Sequence, residues 1–347
     1  MKAGRQSPIR LLAGAVLASI LSWSPPGGAS PLFEDDEVID LTLTGPFGSL
    51  LETTQSPAYL PFRLETGEAS LPVEIRVRGH SRLRICDFPP LRLKLPPGAG
   101  RQGIFGGHDR LKLVTHCHDH DRAEQDLLEE YAAYRILNAA TPLSYRVRLL
   151  RVRYRDSGSV NGEEPTARYA FLLEPRAEFA ARTGAKQVKL AGFPKERHDR
   201  EHAALVYVLQ YLIANTDWML LKADYDDACC HNADLFERGS NVFFVPYDFD
   251  LSGLVNARYA HPDPRLRIGR VTQRRYRGMC TEREHLSKAL AKVVSRREQI
   301  LEVVRTLPGY EPRNARRAER YLEDFFEDAA DEERLLRSFE RRCLERY

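Results

Sequence analysis

Residues 73–78 read Val73-Glu74-Ile75-Arg76-Val77-Arg78, with three β-branched apolar side chains alternating strictly with three charged ones. A period of two places all the apolar groups on one face, which is the pattern of a half-buried strand. The pattern recurs after Pro89-Pro90 as Leu91-Arg92-Leu93-Lys94-Leu95, and again as Leu111-Lys112-Leu113. Pro96-Pro97-Gly98 and the glycines at 103, 106 and 107 supply the intervening turns. A helix is expected from about Arg122 to Asn138, with Leu128, Tyr131, Ala132 and Ile136 on its buried face.

Two more strands are expected, over 145–154 and 168–173, flanking a polar loop at 156–165. In the first of them the apolar set shifts from Val147 and Leu149 to Leu150, Val152 and Tyr154, which suggests a bulge. Past Glu174-Pro175 the character changes. Ala204, Leu205, Val208, Leu209, Leu212 and Ile213 form a helical stripe, and residues 284–347 are helical in composition almost throughout. Strands followed by helices indicate an α+β protein of two lobes: a strand-rich lobe over 30–175 and a helix-rich lobe over 176–347.

The first 29 residues read as a secretory signal. Lys2, Arg5 and Arg10 precede an apolar stretch from Leu11 to Trp23, followed by Pro, Gly and Ala up to Ala29. Thirteen helical residues span about 20 Å, short of the roughly 30 Å hydrocarbon core, so no stable membrane span is expected once the signal is removed. Its removal takes the formal charge from +3 to zero, with 49 basic and 49 acidic residues left. No cationic excess then remains to drive nucleic-acid binding. A periplasmic or secreted protein usually pairs its thiols, and the six cysteines admit fifteen pairings. Cys86 and Cys117, each at a strand edge, are the first choice. Adjacent Cys229 and Cys230 rarely pair, so one of them is expected to reach Cys280.

Chemistry concentrates in the second half. The helix ending near Ala214 runs into Asn215-Thr216-Asp217-Trp218; His231-Asn232 follows, and an apolar strand from Asn241 to Pro246 ends in Tyr247-Asp248-Phe249-Asp250. Carboxylate and amide oxygens of this kind suit Mg²⁺, a hard ion that completes its shell with water and phosphates. Asp217 is the expected proton acceptor. Asn232, Asp248 and, with them, Asp250 are the expected metal ligands.

These residues resemble the CotH-type (spore coat protein H) secreted kinases, which have an atypical protein-kinase-like fold. The resemblance rests on Arg78-Gly79-His80-Ser81 with the basic strand after it, on Asn215-Thr216-Asp217, on His231-Asn232 and on Pro246-Tyr247-Asp248-Phe249-Asp250, over roughly residues 70 to 255. It implies ATP-dependent phosphoryl transfer outside the cytoplasm, with Mg²⁺ or Mn²⁺ held between the phosphates and Asp248 and Asn232. The acceptor is a protein or small molecule. Kinase catalytic loops place an Asn five residues after the Asp; here Asp227 has that spacing to Asn232, yet Asp217 directly follows a buried helix and is preferred. For the phosphate contact, Lys112 followed by a helix carrying Glu129 and Glu130 fits the kinase order, with Lys94 as second choice and Arg78 in the same motif region. Two other readings stand beside this one: an inactive secreted binding module, and a periplasmic protein binding a transition metal through His116, His118 and His120.

Overall fold

The computed structural model describes Met1 and residues 31–67, 69–96, 103–159, 165–221 and 229–344. The signal segment and the acidic loop containing Asp224, Asp226 and Asp227 lie outside the described residues. In chain order the elements are β1 (Ile39–Gly45), α1 (Phe47–Glu52), β2 (Leu60–Thr66), β3 (Ala69–Val77), α2 (Arg82–Ile85), β4 (Leu91–Lys94), β5 (Arg110–Val114), α3 (Asp121–Ala140), β6 (Val147–Asp156) and β7 (Ala167–Leu173). They continue with α4 (Arg176–Thr183), β8 (Lys186–Val188), α5 (Arg200–Leu212), β9 (Ala233–Arg238), β10 (Asn241–Pro246), α6 (Arg283–Ser295), α7 (Arg297–Arg305), α8 (Pro312–Ala329) and α9 (Glu332–Glu340).

The first seven strands close into a barrel in the order β1-β2-β3-β4-β5-β7-β6. Every neighbouring pair is antiparallel except the seam, where β1 runs parallel to β6 from Ile39↔Leu150 to Gly45↔Asp156. This closure overturns the expectation of an α+β, two-lobed, kinase-like fold. The expectation was built on strands from Val73 onward. It lacked β1 and β2, whose apolar residues Ile39, Leu41, Leu43, Phe62 and Leu64 complete the interior. A closed sheet has no free edge to protect, which is the physical gain of the seam.

The apparent shift of pattern in β6 has a different cause from a bulge. Its register with β7 is unbroken from Val147↔Leu173 to Arg153↔Ala167. Val147, Leu149, Phe171 and Leu173 face the helical core, whereas Leu150, Val152, Ala170 and Leu172 face the barrel interior. Both faces of this wall are buried, so the strands read as apolar runs. Each such Leu or Val contributes about 1.5–3 kcal/mol by leaving water.

Helix α3 lies against that wall. The imidazole Nδ1 of His120 caps it by accepting the Ala123 N–H (3.0 Å), Asp121 and Glu124 complement the positive end of its dipole, and Pro142 follows its last turn. Helix α5 is capped by Asp199, which accepts the His202 N–H at 2.9 Å, and the His202 ring donates from Nε2 to the Phe244 carbonyl at 2.9 Å. That bond ties α5 to β10 in the small antiparallel sheet β10-β9-β8.

Cys86 is bonded to Cys117, as expected, with Cα atoms 4.6 Å apart. The other pairings differ from expectation. Cys280 pairs with Cys343, because the chain at 344 returns beside residues 278–280 through Leu344 N–H to Gly278 O (2.9 Å) and Cys280 N–H to Leu344 O (3.3 Å). Cys229 pairs with its neighbour Cys230 and not with Cys280. No helix among the described residues is long and apolar enough to cross a membrane.

Candidate functional site

The turn after α5 is held by its own side chains. Asn215 Nδ2 donates to Gln210 Oε1 (3.1 Å), Asn215 Oδ1 accepts the Asp217 N–H (3.0 Å), and the Trp218 indole N–H donates to the Asn215 carbonyl (3.1 Å). Asp217 is thereby presented with its side chain about a third exposed. Its two carboxylate oxygens have different partners. Oδ1 lies 3.2 Å from His231 Nε2, and Oδ2 accepts from Asn232 Nδ2 at 2.9 Å; the same nitrogen also donates to the Asp217 carbonyl at 2.7 Å. With its amide nitrogen committed to Asp217, Asn232 keeps its side-chain oxygen as the atom able to ligate.

Asn232 also accepts the Tyr247 N–H at its backbone carbonyl (3.0 Å), which joins this pair to the turn after β10. The two turns are fastened a second time beyond Asp250. Gly253 N–H donates to Ala214 O (3.1 Å) and Leu254 N–H to Ile213 O (3.0 Å). A Cβ at Gly253 would lie 2.6 Å from the Val271 carbonyl and 2.8 Å from the Ala214 Cβ, so only glycine permits this approach. Ala214, Asn232 and Asp248 all have left-handed backbones, with φ of 48°, 52° and 64°. Non-glycine residues in that region cluster where a structure holds side chains for use, which is consistent with a site at these three turns.

Arg82, at the start of α2, is the buried hub of the opposite side. Its Nε donates to Asp250 Oδ2 (3.0 Å), and one terminal nitrogen donates to Glu130 Oε2 (2.9 Å) and Asp248 Oδ1 (3.1 Å). Burial alone would lower the pKa of this guanidinium; the carboxylates of Asp250, Glu130 and Asp248 and the Tyr259 hydroxyl outweigh it and raise it. One cation does not neutralise three carboxylates. Burial, reinforced by Asp250 and Asp248, pushes Glu130 up to about 8, and burial likewise raises Asp250. Asp250 also accepts from Tyr259 at 3.1 Å. Asp248 is the exception in this group: its side chain is 47% exposed, and its backbone N–H is fixed by the Tyr134 hydroxyl (2.9 Å). The short helix carrying Arg82 runs directly into Cys86, whose disulfide to Cys117 pins it to the segment leading into α3.

The outer face of the barrel beside these turns is cationic. Arg76 is directly opposite Arg92, and Arg92 opposite Lys112, across β3, β4 and β5. Like charges paired across strands are unfavourable by a few tenths to 1 kcal/mol. Lys112 lies 5.5 Å from the centre of the Tyr247 ring, and Arg176 lies 5.8 Å from it. Burial, with Arg78 and Arg176 adding to it, pushes Lys112 down to about 7. Burial, with Arg76, also lowers Arg92, whose Nε is buried without an acceptor among the described residues. Arg78 is lowered by burial and by Arg82 and Arg92, against a raising influence from Asp248.

The residues singled out from sequence therefore divide. Asp217 and Asn232 are in direct contact, Tyr247 and Asp248 follow from the same link, and Lys112 and Arg78 belong to the cationic wall. Lys94 shares the Tyr59 ring with Arg76 but is ion-paired with Glu74 across β3–β4 and 41% exposed. Lys112 contacts neither glutamate of α3: Glu130 binds Arg82, while Glu129 binds Arg317 and Tyr310. Asp250 is engaged by Arg82 and Tyr259 rather than left open. The three histidines of 116–120 do not converge on one point: the His118 and His120 rings stack 5.9 Å apart, with His118 Nδ1 at Asp87 (2.9 Å) and His120 Nδ1 capping α3, but His116 stacks on Phe88 instead. Among the described residues no group of three or more His, Cys, Asp or Glu side chains is arranged to hold a metal ion. The sequence patterns assigned no role to Arg82, Arg92, Arg176 or His231, although His231 and Arg92 stand within the motifs quoted above. For Arg82 a signal existed, since it adjoins Arg78-Gly79-His80-Ser81.

Neither any family model nor any curated protein matches this chain.

Proposed function

We propose that this protein transfers a phosphoryl group from a metal-bound nucleotide, ATP with Mg²⁺ or Mn²⁺, to a hydroxyl acceptor on a protein or small molecule, outside the cytoplasm. The observation that carries the reading is the cationic wall: Arg76, Arg92 and Lys112 in one cross-strand row, with Arg78 beside them and Lys112 depressed to about 7, while neighbouring Arg176 is ion-paired with Asp234. A fold maintains such a row against its own repulsion where an anion of several charges neutralises it. Phosphates are such anions.

The half-exposed carboxylate of Asp248 and the amide oxygen of Asn232 fit a hard divalent ion that takes one or two protein oxygens and obtains the rest from water and phosphates. When bound, the ion would neutralise charge on the phosphates. Asp217, held by His231 and Asn232, would orient the acceptor hydroxyl and take its proton. Asp250 would act through Arg82, keeping Asp248 in place. The motif resemblance to CotH-type kinases supports this chemistry. Disulfide pairing and the signal-like amino terminus support a periplasmic or secreted location.

The deciding experiment mixes purified protein lacking the signal segment with ATP and Mg²⁺ or Mn²⁺. Thermal stabilisation that needs both components, together with transfer of labelled phosphate to a hydroxyl, is expected. Absence of any metal-dependent nucleotide effect on stability would return the chain to the binding-module reading.

A further inference from the structure

A cationic cavity, of about 450 Å³, lies at the carboxyl end of α3, between the start of β6 and the end of α6. Its lining combines apolar Phe33, Ala139 and Val147 with the cations Arg146, Lys292 and Arg296. None of the three has an acidic partner at ion-pair distance among the described residues. One terminal nitrogen of Arg146 is buried and meets no acceptor there. A buried guanidinium nitrogen without a partner is costly, and it points to an oxygen that the protein itself does not supply.

The remaining charges can be counted. Arg135 is neutralised by Asp36, and Arg182 by Glu174. Set against Arg146, Lys292 and Arg296, the lining offers only Glu34, so about two positive charges remain uncompensated. The side chains of Asn138 and Ser144 are occupied with each other at 2.8 Å, so the cations are the principal donors.

We infer that this cavity binds the dianion of a small phosphate monoester, its phosphate among Arg146, Lys292 and Arg296 and its organic body against Phe33, Ala139 and Val147. A phosphate monoester carries about −1.5 to −2 at neutral pH and presents three acceptor oxygens, which matches both the surplus charge and the three cations; a carboxylate matches neither. The volume is in the range of small-ligand sites. This site is built from different residues than the proposed phosphoryl-transfer site and does not depend on it.

Phenyl phosphate is a suitable probe, followed by calorimetry and thermal unfolding on the protein lacking its signal segment. Saturable binding is expected. The double substitution Lys292→Ala with Arg296→Ala, both at exposed positions, should weaken it at least about tenfold, and Arg146→Met should do the same, while Lys112→Ala should leave it within about twofold. The inference is overturned if wild type shows no saturable binding, if the double variant binds as wild type does, if Lys112→Ala alone removes binding, or if benzoate binds as tightly as phenyl phosphate. Because Lys292 and Arg296 are exposed, loss of binding in that variant with an unchanged melting temperature of the free protein separates a lost site from a lost fold.

Discussion

The buried Arg82 guanidinium donates to Glu130 at 2.9 Å, joining the short helix after β3 to the middle of α3, and reaches across to Asp248 and Asp250 after β10. Three segments distant in sequence are thus referred to one cation. The candidate metal ligand Asp248 is positioned by a group that itself stays out of solvent.

Removing that cation should be severe. Arg82→Ala would leave Asp250 buried without its counter-charge and Glu130 without its hydrogen-bond donor, and breaking one side of a buried pair costs about 3–5 kcal/mol. Arg82→Lys should recover only part of it, since an ammonium does not reproduce the fork that serves three carboxylates. Chemical denaturation of the two variants beside wild type measures both. A loss under about 1 kcal/mol for Arg82→Ala would mean that the hub carries little stability.

The pH dependence follows from three carboxylates on α3. Burial raises Asp126 to about 6, Glu129 to about 7 and Glu130 to about 8. Each holds its proton in the folded protein at pH values where the unfolded chain has released it. At these three groups the folded state therefore binds more protons, and their contribution to stability falls as pH rises from about 4.5 to about 8, whereas buried His116, lowered to about 4, and His108, His198 and His202, also lowered by burial, act in the opposite sense below about 6.5. Lys112 acts in the opposite sense above about 7, where the unfolded chain is the better proton binder. Glu130→Gln should flatten the decline, most visibly between pH 6 and 8, in denaturation curves taken across that range. An unchanged slope would show that Glu130 is ionised throughout.

Much of the element pattern was legible, and the closure was not. Alternation at 73–78, 91–95 and 111–113 specified β3, β4 and β5, and the helical stripe at 204–213 specified α5. Ile39, Leu41 and Leu43 alternate with Asp40, Thr42 and Thr44 as clearly, yet nothing local says that β1 should pair in parallel with β6, more than a hundred residues away. Register between such distant strands is decided by the interior they jointly fill. Two-sided burial of β6 and β7 looked like a bulge because a sequence shows apolar residues without showing which core each one enters. At the site, residue types announced Asp217, Asn232 and Asp248. Arg82 was obscured because a buried arginine reads as a surface one until its three acids, 48, 166 and 168 residues away, are placed.

The disulfides make a prediction about oxidation. Non-reducing peptide mapping should recover Cys86 with Cys117 and Cys280 with Cys343. The first closes a 31-residue separation, for which the chain-entropy estimate is about 3–4 kcal/mol. Replacing both Cys86 and Cys117 with Ala should cost that order of stability and loosen the helix that carries Arg82. Recovery of Cys280 joined to Cys229 or Cys230 would contradict the described arrangement.

The sharpest test of the proposed chemistry separates Asp217 from Asp248. Asp248 is half-exposed, anchored at its backbone by Tyr134 and held by Arg82, as a fixed metal ligand must be. Asp217 has one oxygen against His231 and the other against Asn232, an arrangement suited to orienting a hydroxyl and accepting its proton. Asp248→Ala should abolish metal-dependent nucleotide binding, because the ion loses its carboxylate. Asp217→Asn nearly preserves shape and removes the base; it should keep nucleotide binding within about threefold while lowering transfer by about 10²-fold or more, the usual contribution of general-base catalysis. Lys112→Met should weaken nucleotide binding without altering metal preference, since it removes one phosphate contact and no ligand. Calorimetric binding and single-turnover transfer, measured on the same preparations, resolve the three profiles. Equal loss of binding in Asp217→Asn and Asp248→Ala would show that both carboxylates serve the ion, and the division of roles would be withdrawn.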